Sequence, residues 1–398
     1  MTTPLTAERA LLNTHIHLPP NFSAFESVDQ AVALAAAQKL RLIGASNYYD
    51  FSVYEAFERL SAAAGVVALF GIEIIALLPD LQAAGVRIND PANPGKMYLC
   101  GKAAARVRPM SDEAAGLLGA IRDLDSTRMT ECVEKLADAF AEAGVATGLS
   151  ADAVRRSVAA RADVAVETVY LQERHVAQAF QEAWFAAETE PAQRARSWRR
   201  LAGASPSFDV EAAGAAQAAI RSALMKAGKK AYVAETFVDF DHAYRLILAL
   251  GGIPSYPVLA DGASPLCEYE ADVEALIADL QRRGIHAAEL IPVRNDAETL
   301  LRYVPAMRAA GLIVTAGTEH NTPEMLPLAP ACKGGTPLPP RVAAIFEEGA
   351  CVAIAHQRRV ARGLKGYVDA QGAVAAASPE GLIAQLRAEG AGILGIAA

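Results

Sequence analysis

Two histidines separated by one residue, His15 and His17, give the strongest local indication of chemistry in the sequence. Side chains two positions apart in a β-strand point to the same side, so both imidazoles would face one volume. Convergent imidazoles suit Zn, Fe or Mn. Two histidines that are only hydrogen-bonded at a strand end are the alternative interpretation, so the prediction of a metal site depends on further ligands.

Acidic residues and a third histidine supply such candidates. Glu73 interrupts the apolar run VVALFGIEIIALL, where an ionised carboxylate is costly to bury without a partner. A metal ion is one such partner, and an arginine or several backbone N–H groups are the alternative. Glu319 and His320 follow the apolar run LIVTA and offer a carboxylate and an imidazole at another strand end. Together these residues predict a metal site at the ends of strands.

The elements that position these residues alternate between short apolar strands and helices. Near the amino terminus we predict strands at 10–17, 42–45 and 66–76 and helices at 28–40 and 53–64. The alternation resumes with a strand predicted at 231–238 and continues to a strand at 312–316. Such alternation is typical of a largely parallel sheet, and β/α barrels place their sites at the carboxyl ends of the strands.

A helical segment interrupts this pattern. From about residue 102 to residue 230 the sequence is rich in Ala, Glu and Arg at helical spacing and has few β-branched runs. We therefore predict a discontinuous barrel, residues 1–101 and 231–398, with a helical insertion at 102–230 that is a candidate lid. Arg174 and His175 would reach substrate if the insertion folds over the barrel mouth. A solvated helix surface is the alternative for this pair.

The composition limits the classes of partner and compartment. The chain of 398 residues is 53% hydrophobic and 21% charged, as in folded globular proteins, and its net charge of −8 argues against nucleic acid and anionic membranes as partners. Five scattered cysteines without a C-x-x-C pair suit a reducing compartment. We predict no signal peptide, and the longest apolar stretch, 66–78, is too short for a transmembrane helix. We expect a cytoplasmic protein that acts on a small molecule.

The order of the short motifs resembles the polymerase and histidinol phosphatase (PHP) superfamily. The matching segments are NTHIH at 13–17, IGASNYYD at 43–50, GIEI at 71–74, GGIPSYP at 251–257 and GTEHN at 317–321. This resemblance implies a distorted seven-stranded (β/α)7 TIM-like barrel and phosphoester hydrolysis driven by two or three metal ions. It leaves the insertion without a counterpart.

The departures from the family pattern fall on particular metal positions. The resemblance assigns four ligands to one metal, and their types survive as His15, His17, Glu73 and Glu319. The family's T-D-H motif reads Ser46-Asn47-Tyr48 here, and two further family histidines align with Tyr98 and Tyr256. Tyrosine and asparagine are poor substitutes for imidazole as metal ligands. We therefore predict one divalent ion, Zn, Mn or Fe, instead of three.

The same alignment suggests roles for the remaining positions. Tyr98, Tyr256 and Asn47 are candidate catalytic residues that could donate hydrogen bonds to a substrate oxyanion, although filling space is an equal alternative for the two tyrosines. His320 is a candidate general acid or base. The candidate substrate contacts beside the ligands are Tyr48 and Asn321.

We therefore expect a metal-dependent hydrolase in which a metal-activated water attacks a phosphoester of a small molecule. Two alternatives stay open. A catalytically degenerate PHP-like barrel could serve as a binding or regulatory module, which the lost imidazoles favour. An amidohydrolase-type metal hydrolase also begins with H-x-H, but it typically adds a carboxylated lysine or a glutamate and two later histidines, which the sequence after residue 231 does not supply cleanly.

Overall fold

Eight strands and thirteen α-helices make up the described part of the chain, residues 11–376 and 378–397 of the computed structural model. The strands are β1 (Leu11–Ile16), β2 (Leu40–Ala45), β3 (Val67–Leu77), β4 (Lys96–Lys102), β5 (Val238–Asp239), β6 (Ile253–Val258), β7 (Ala287–Leu290) and β8 (Ile313–Ala316). The helices are α1 (Val28–Ala37), α2 (Tyr54–Ala63), α3 (Pro79–Ala83), α4 (Asp112–Glu142), α5 (Ala151–Ala162), α6 (Glu173–Ala187), α7 (Pro191–Ala202), α8 (Ala213–Ile220), α9 (Phe240–Ala249), α10 (Val273–Arg282), α11 (Ala297–Ala309), α12 (Pro340–Ala361) and α13 (Pro379–Leu394).

Seven of the strands form a nearly closed barrel in the order β1-β2-β3-β4-β6-β7-β8, while β5 pairs with β3 at the side. All neighbours are parallel except β4, which runs antiparallel to β3 and β6. The barrel closes where the backbone N–H groups of Thr318 and Glu319 donate to the carbonyl oxygen of His15 at 3.0 and 2.9 Å. A Cβ on Gly317 would lie 2.3 Å from the Cβ of His15, so this approach requires glycine. The prediction of a distorted TIM-like barrel is confirmed.

Helices pack around the barrel and across its amino-terminal end. α9 buries Ala243, Leu246 and Ile247, the i, i+3, i+4 spacing of a helix that lies on a sheet. Inward-facing residues from the beginnings of the strands, such as Leu12 and Leu42, share one apolar cluster with α12 and α13. This end of the barrel is therefore filled, and the carboxyl end is left to form a site.

The inserted helices α4 to α8 enclose an apolar core of their own. Phe140, Phe180, Trp184 and Trp198 are buried there, with aromatic ring centroids 5.3–6.2 Å apart. α4 joins the two cores, because the first half of the helix packs in the barrel core and the second half in the insertion core.

The prediction of a strand at 231–238 is wrong except at its end, since only Val238 and the following Asp239 pair with β3. Ala231 and Val233 are apolar because they pack in the insertion core instead of in a sheet. None of the described helices is both long and apolar enough to cross a membrane.

Candidate active site

Three predicted metal ligands meet at the carboxyl end of the barrel. His15 lies in β1, His17 follows that strand directly, and Glu73 lies in β3 two strands away. The Nε2 atoms of the two histidines are 3.2 Å apart, and Oε2 of Glu73 lies 3.3 Å from Nε2 of His15 and 3.1 Å from Nε2 of His17. All three side chains are buried. Residues far apart in the chain therefore form one compact triangle of ligand atoms.

This triangle fits a divalent cation. Oε2 of Glu73 and Nδ1 of His17 are buried and make no hydrogen bond with any described residue. Metal–ligand bonds of about 2.0–2.2 Å in tetrahedral geometry separate neighbouring ligand atoms by about 3.3–3.6 Å, close to the separations here. Burial alone would raise the pKa of Glu73, but the imidazole rings of His15 and His17, which lie 3.3 and 3.1 Å from Oε2, hold that pKa below its usual value. The carboxylate is thus ionised and able to bind a cation.

A buried ion pair orients His15 from behind. Oε1 of Glu289 in β7 lies 2.6 Å from Nδ1 of His15, and because a carboxylate only accepts, Nδ1 carries the proton and Nε2 faces the triangle. The ammonium group of Lys102 in β4 contacts the other oxygen of Glu289 and donates to the carbonyl oxygen of Thr14 at 3.0 Å. Burial raises the pKa of Glu289, but Lys102 and then His15 lower it to about 2. Burial lowers the pKa of His15, but the charge of Glu289 and hydrogen bonds with Cys100 and Glu289 raise it, and the net result is a pKa well above its usual value.

Sequence reasoning missed both members of this ion pair. Glu289 interrupts the apolar segment AAELI in the same way that Glu73 interrupts its own strand, so the same argument could have found it. Lys102 gives no comparable signal, because a lysine at a strand end is usually solvated.

Tyr48 lies beside the triangle, whereas its neighbour Asn47 does not face it. The Tyr48 hydroxyl donates to Oε1 of Glu73 at 2.7 Å, and the Tyr48 ring stacks on His17 with centroids 5.0 Å apart. The Asn47 side chain is fully buried and clamps the backbone of Leu18, donating to its oxygen at 2.9 Å and accepting from its nitrogen at 2.8 Å. The expectation that Asn47 faces substrate is therefore corrected, since its amide is used to shape the turn after β1.

The expected positions of Glu319 and His320 are also corrected. Both residues adopt positive φ angles, 58° and 54°, and the chain turns sharply there. Both guanidinium ends of Arg294 bind the Glu319 carboxylate, and Nδ2 of Asn321 donates to it at 2.9 Å, so Glu319 is not part of the ligand triangle. His320 stacks on Phe25, and its two ring nitrogens lie 2.8 Å from Thr318 Oγ1 and 2.9 Å from the oxygen of Leu326. With both nitrogens occupied, this imidazole has no free position for acid–base catalysis.

The two tyrosines that align with family histidines point in different directions. Tyr98 pairs with Ile75 across β3 and β4, and both line the cavity above the triangle. Burial raises the pKa of Tyr98, and the nearby charge of Lys96 lowers it. The resulting pKa is about 12, so the phenol stays protonated at neutral pH. Tyr256 points out of the barrel, where its hydroxyl donates to buried Glu270 at 2.8 Å. The prediction that Tyr256 is a catalytic residue is therefore wrong. The neighbouring residue, Pro257, occupies the inward position and lines the cavity.

A cavity of about 390 Å³ lies between the barrel mouth and the insertion. The barrel contributes Tyr48, Glu73, Tyr98, Arg294, Glu319 and Asn321, and the insertion contributes Asp125, Arg128, Glu173, Arg174, Arg221 and Lys226. The insertion therefore covers the site, in the position that a lid would take.

Of the two insertion residues predicted to reach substrate, only Arg174 lines the cavity. It forms no ion pair with any described residue and lies over the ring of Phe22 at 5.9 Å. Burial and the nearby Arg221 lower its pKa to about 10, so Arg174 is still charged at neutral pH. His175 is buried beside Phe22, and its Nδ1 accepts from the backbone nitrogen of Gln172 at 3.1 Å. The expectation for His175 is corrected: the ring caps α6 and does not face substrate.

Several solved structures have a similar fold, and two of them are compared here. A protein from Bifidobacterium adolescentis described as a metal-dependent phosphoesterase is 16% identical with a TM-score of 0.54, and the match covers 85% of this chain and 96% of that chain. An amidohydrolase from Chromobacterium violaceum, solved with bound sulfate and no metal, is 16% identical with a TM-score of 0.51, and the match covers 84% of this chain and 97% of that chain. The likeness is one of fold. No protein-family model matches the sequence, and no curated protein matches it.

Proposed function

We propose that this protein is a metal-dependent hydrolase of the PHP type that cleaves a phosphoester of a small molecule, with one divalent ion (Zn, Mn or Fe). The observation that carries the proposal is the convergence of His15, His17 and Glu73 to within 3.1–3.3 Å around a carboxylate oxygen that has no other partner. The two solved structures compared above are described as hydrolases of the two kinds that the sequence suggested, which supports this class.

The chain's own residues would hold and orient the reacting groups. A divalent cation at such a site acts as a Lewis acid on a phosphoryl oxygen and activates water. His15 and His17 would present Nε2 to it and Glu73 would present Oε2, while Glu289 and Tyr48 fix the orientations of two of these residues, His15 and Glu73. The protonated phenol of Tyr98 in the cavity wall is placed to donate a hydrogen bond to substrate.

Cations from the insertion favour an anionic substrate. Arg174 has no carboxylate partner among the described residues, and Arg221 lies 3.8 Å from a Glu173 carboxylate that also pairs with Arg128 and Lys226. A phosphoester would neutralise this excess positive charge on the side of the cavity opposite the ligands.

Elemental analysis and a turnover screen test the proposal. We expect one equivalent of metal per chain and hydrolysis of members of a phosphoester panel after loading with Zn, Mn or Fe. His17→Ala and Glu73→Gln should abolish both metal binding and turnover. His286→Ala and Glu270→Gln alter a histidine and a buried carboxylate outside the cavity and should keep both. Turnover retained by both site variants would refute the proposal.

A binding module without turnover is the second candidate. The ion pair between Glu319 and Arg294 favours it, because that pair withdraws the fourth expected ligand from the triangle. In that case a phosphorylated ligand would bind to the metal-loaded protein and be recovered intact. Amides and lactones belong in the same screen, since turnover of those alone would favour an amidohydrolase. The pairing of the Lys102 ammonium with Glu289 argues against a carboxylated lysine at that position.

A further inference from the structure

Cys100 lies directly opposite Glu73 in the antiparallel pair of β3 and β4. Directly opposed residues of such a pair project from the same face of the sheet, so the thiol and the carboxylate both enter the barrel. Cys100 is fully buried, and ligand atoms of Cys100, His15 and Glu73 all lie within 4.8 Å of one another. The sequence did not indicate this thiol, because the motif alignment places the metal-related position of β4 at Tyr98.

We propose that the sulfur of Cys100 is a further ligand of the metal ion, an inference that rests on the proposed function. The sulfur lone pair forms the bond to the cation, and the thiol proton leaves to solvent, since a coordinating thiol is deprotonated by the cation. A second observation points to a ligand at the same place. Glu73 is only 5% exposed, and its Oε2, aimed into this cluster, has no hydrogen-bond partner among the described residues.

The surroundings leave a place for Cys100 as a fourth ligand, since its sulfur lies within 4.8 Å of ligand atoms of His15 and Glu73. Glu319 is held by Arg294 and Asn321, so its carboxylate is engaged elsewhere. The small side chain of Ser255 lies opposite Cys100 on β6, and its buried hydroxyl has no partner in the described part of the chain. It is therefore free to donate to the sulfur. A set of two imidazoles, one carboxylate and one thiolate selects Zn or Fe over Mn, because thiolate is a soft ligand.

X-ray absorption on the zinc-loaded full-length protein tests the inference without any activity measurement. We expect one sulfur neighbour at about 2.3 Å together with nitrogen and oxygen neighbours at about 2.0–2.2 Å. Cobalt(II) loading should give a thiolate-to-cobalt charge-transfer absorption. Cys100→Ser should lose both signals and bind zinc at least tenfold more weakly in a competition titration. Cys351→Ser changes an equally buried thiol in the cluster formed with α12 and α13 and should keep both signals.

The possible outcomes separate this inference from the proposed function. If the wild-type protein binds one zinc ion through nitrogen and oxygen alone, Cys100 is not a ligand and the metal-dependent function stands. If it binds no metal, both proposals fail. A sulfur signal that Cys351→Ser also removes would overturn the assignment to Cys100. The wild-type absorption decides the matter even if Cys100→Ser does not fold.

Discussion

The buried pair of Lys102 and Glu289 allows a quantitative test of how the site is held together. Lys102 is 1% exposed and Glu289 is fully buried. Lys102→Met keeps the length of the side chain but leaves the Glu289 carboxylate without its ammonium partner. Removing one partner of a buried ion pair costs about 3–5 kcal/mol, because an uncompensated charge stays in a low-dielectric environment. We expect the free energy of unfolding of the metal-free protein to fall by that amount.

Urea denaturation with a chelator present, followed by circular dichroism, measures this change. Lys230→Met removes a half-exposed lysine that lies 3.8 Å from Glu142 and should change stability by less than about 0.5 kcal/mol. The double variant Lys102→Met/Glu289→Gln should be more stable than Lys102→Met alone, because the unpaired charge is gone. A single variant within about 1 kcal/mol of wild type, or a double variant less stable than Lys102→Met, would refute the reasoning.

Three further predictions concern metal affinity, substrate affinity and pH. Glu289→Gln should weaken zinc binding about 10–100-fold in a competition titration because His15 loses its orienting carboxylate, and unchanged affinity would contradict that role. Arg174→Met should raise KM for a phosphoester about tenfold or more with a smaller change in kcat, whereas exposed Arg196→Met should change neither; equal effects would exclude a substrate contact. Burial raises the pKa of Glu173, but neighbouring cations lower it to about 2. As the pH falls, the Glu173 carboxylate is therefore protonated in the unfolded state before it is protonated in the folded state. The stability that Glu173 contributes is complete above about pH 4.5 and is lost toward pH 2. Glu173→Gln should therefore flatten the decline of urea midpoints measured from pH 5 to pH 3.

The predictions that succeeded rest on local geometry. The period of two residues in a strand places His15 and His17 on one side, and an acidic residue in an apolar run indicates a buried carboxylate at Glu73. These arguments need only the identity of one strand and its neighbours. For the same reason the alternation of strands and helices was sufficient to predict a barrel with a helical insertion.

The predictions that failed depend on the exact register of a strand or on the conformation of a single turn. Tyr256 lies next to an inward-facing position, and a shift of one residue moves a strand side chain to the other face of the sheet. Glu319 and His320 follow β8 at positive φ, a conformation that non-glycine residues seldom adopt and that strand patterns do not reveal.

Contacts between residues on distant strands also could not be predicted from the sequence. Lys102 and Glu289 meet across the barrel interior, and Cys100 opposes Glu73, only because of the particular order and direction of the strands. The antiparallel course of β4 is the decisive feature, since it places Cys100 opposite Glu73 and Lys102 deeper in the barrel, opposite Gly71. A pattern of alternating strands and helices favours parallel neighbours and gives no sign of this reversal.

The separation of Lys102 from Glu289 along the chain has a consequence for biosynthesis. The segment that carries His15, His17, Glu73 and Lys102 leaves the ribosome first, and Glu289 follows only after the whole insertion and two further strands. Until β7 arrives, the ammonium group would have to enter an apolar interior alone, which is strongly unfavourable. The amino-terminal half of the barrel therefore stays open to water until the carboxyl-terminal half has been synthesised. The inserted helices, which have their own core, can fold during this time.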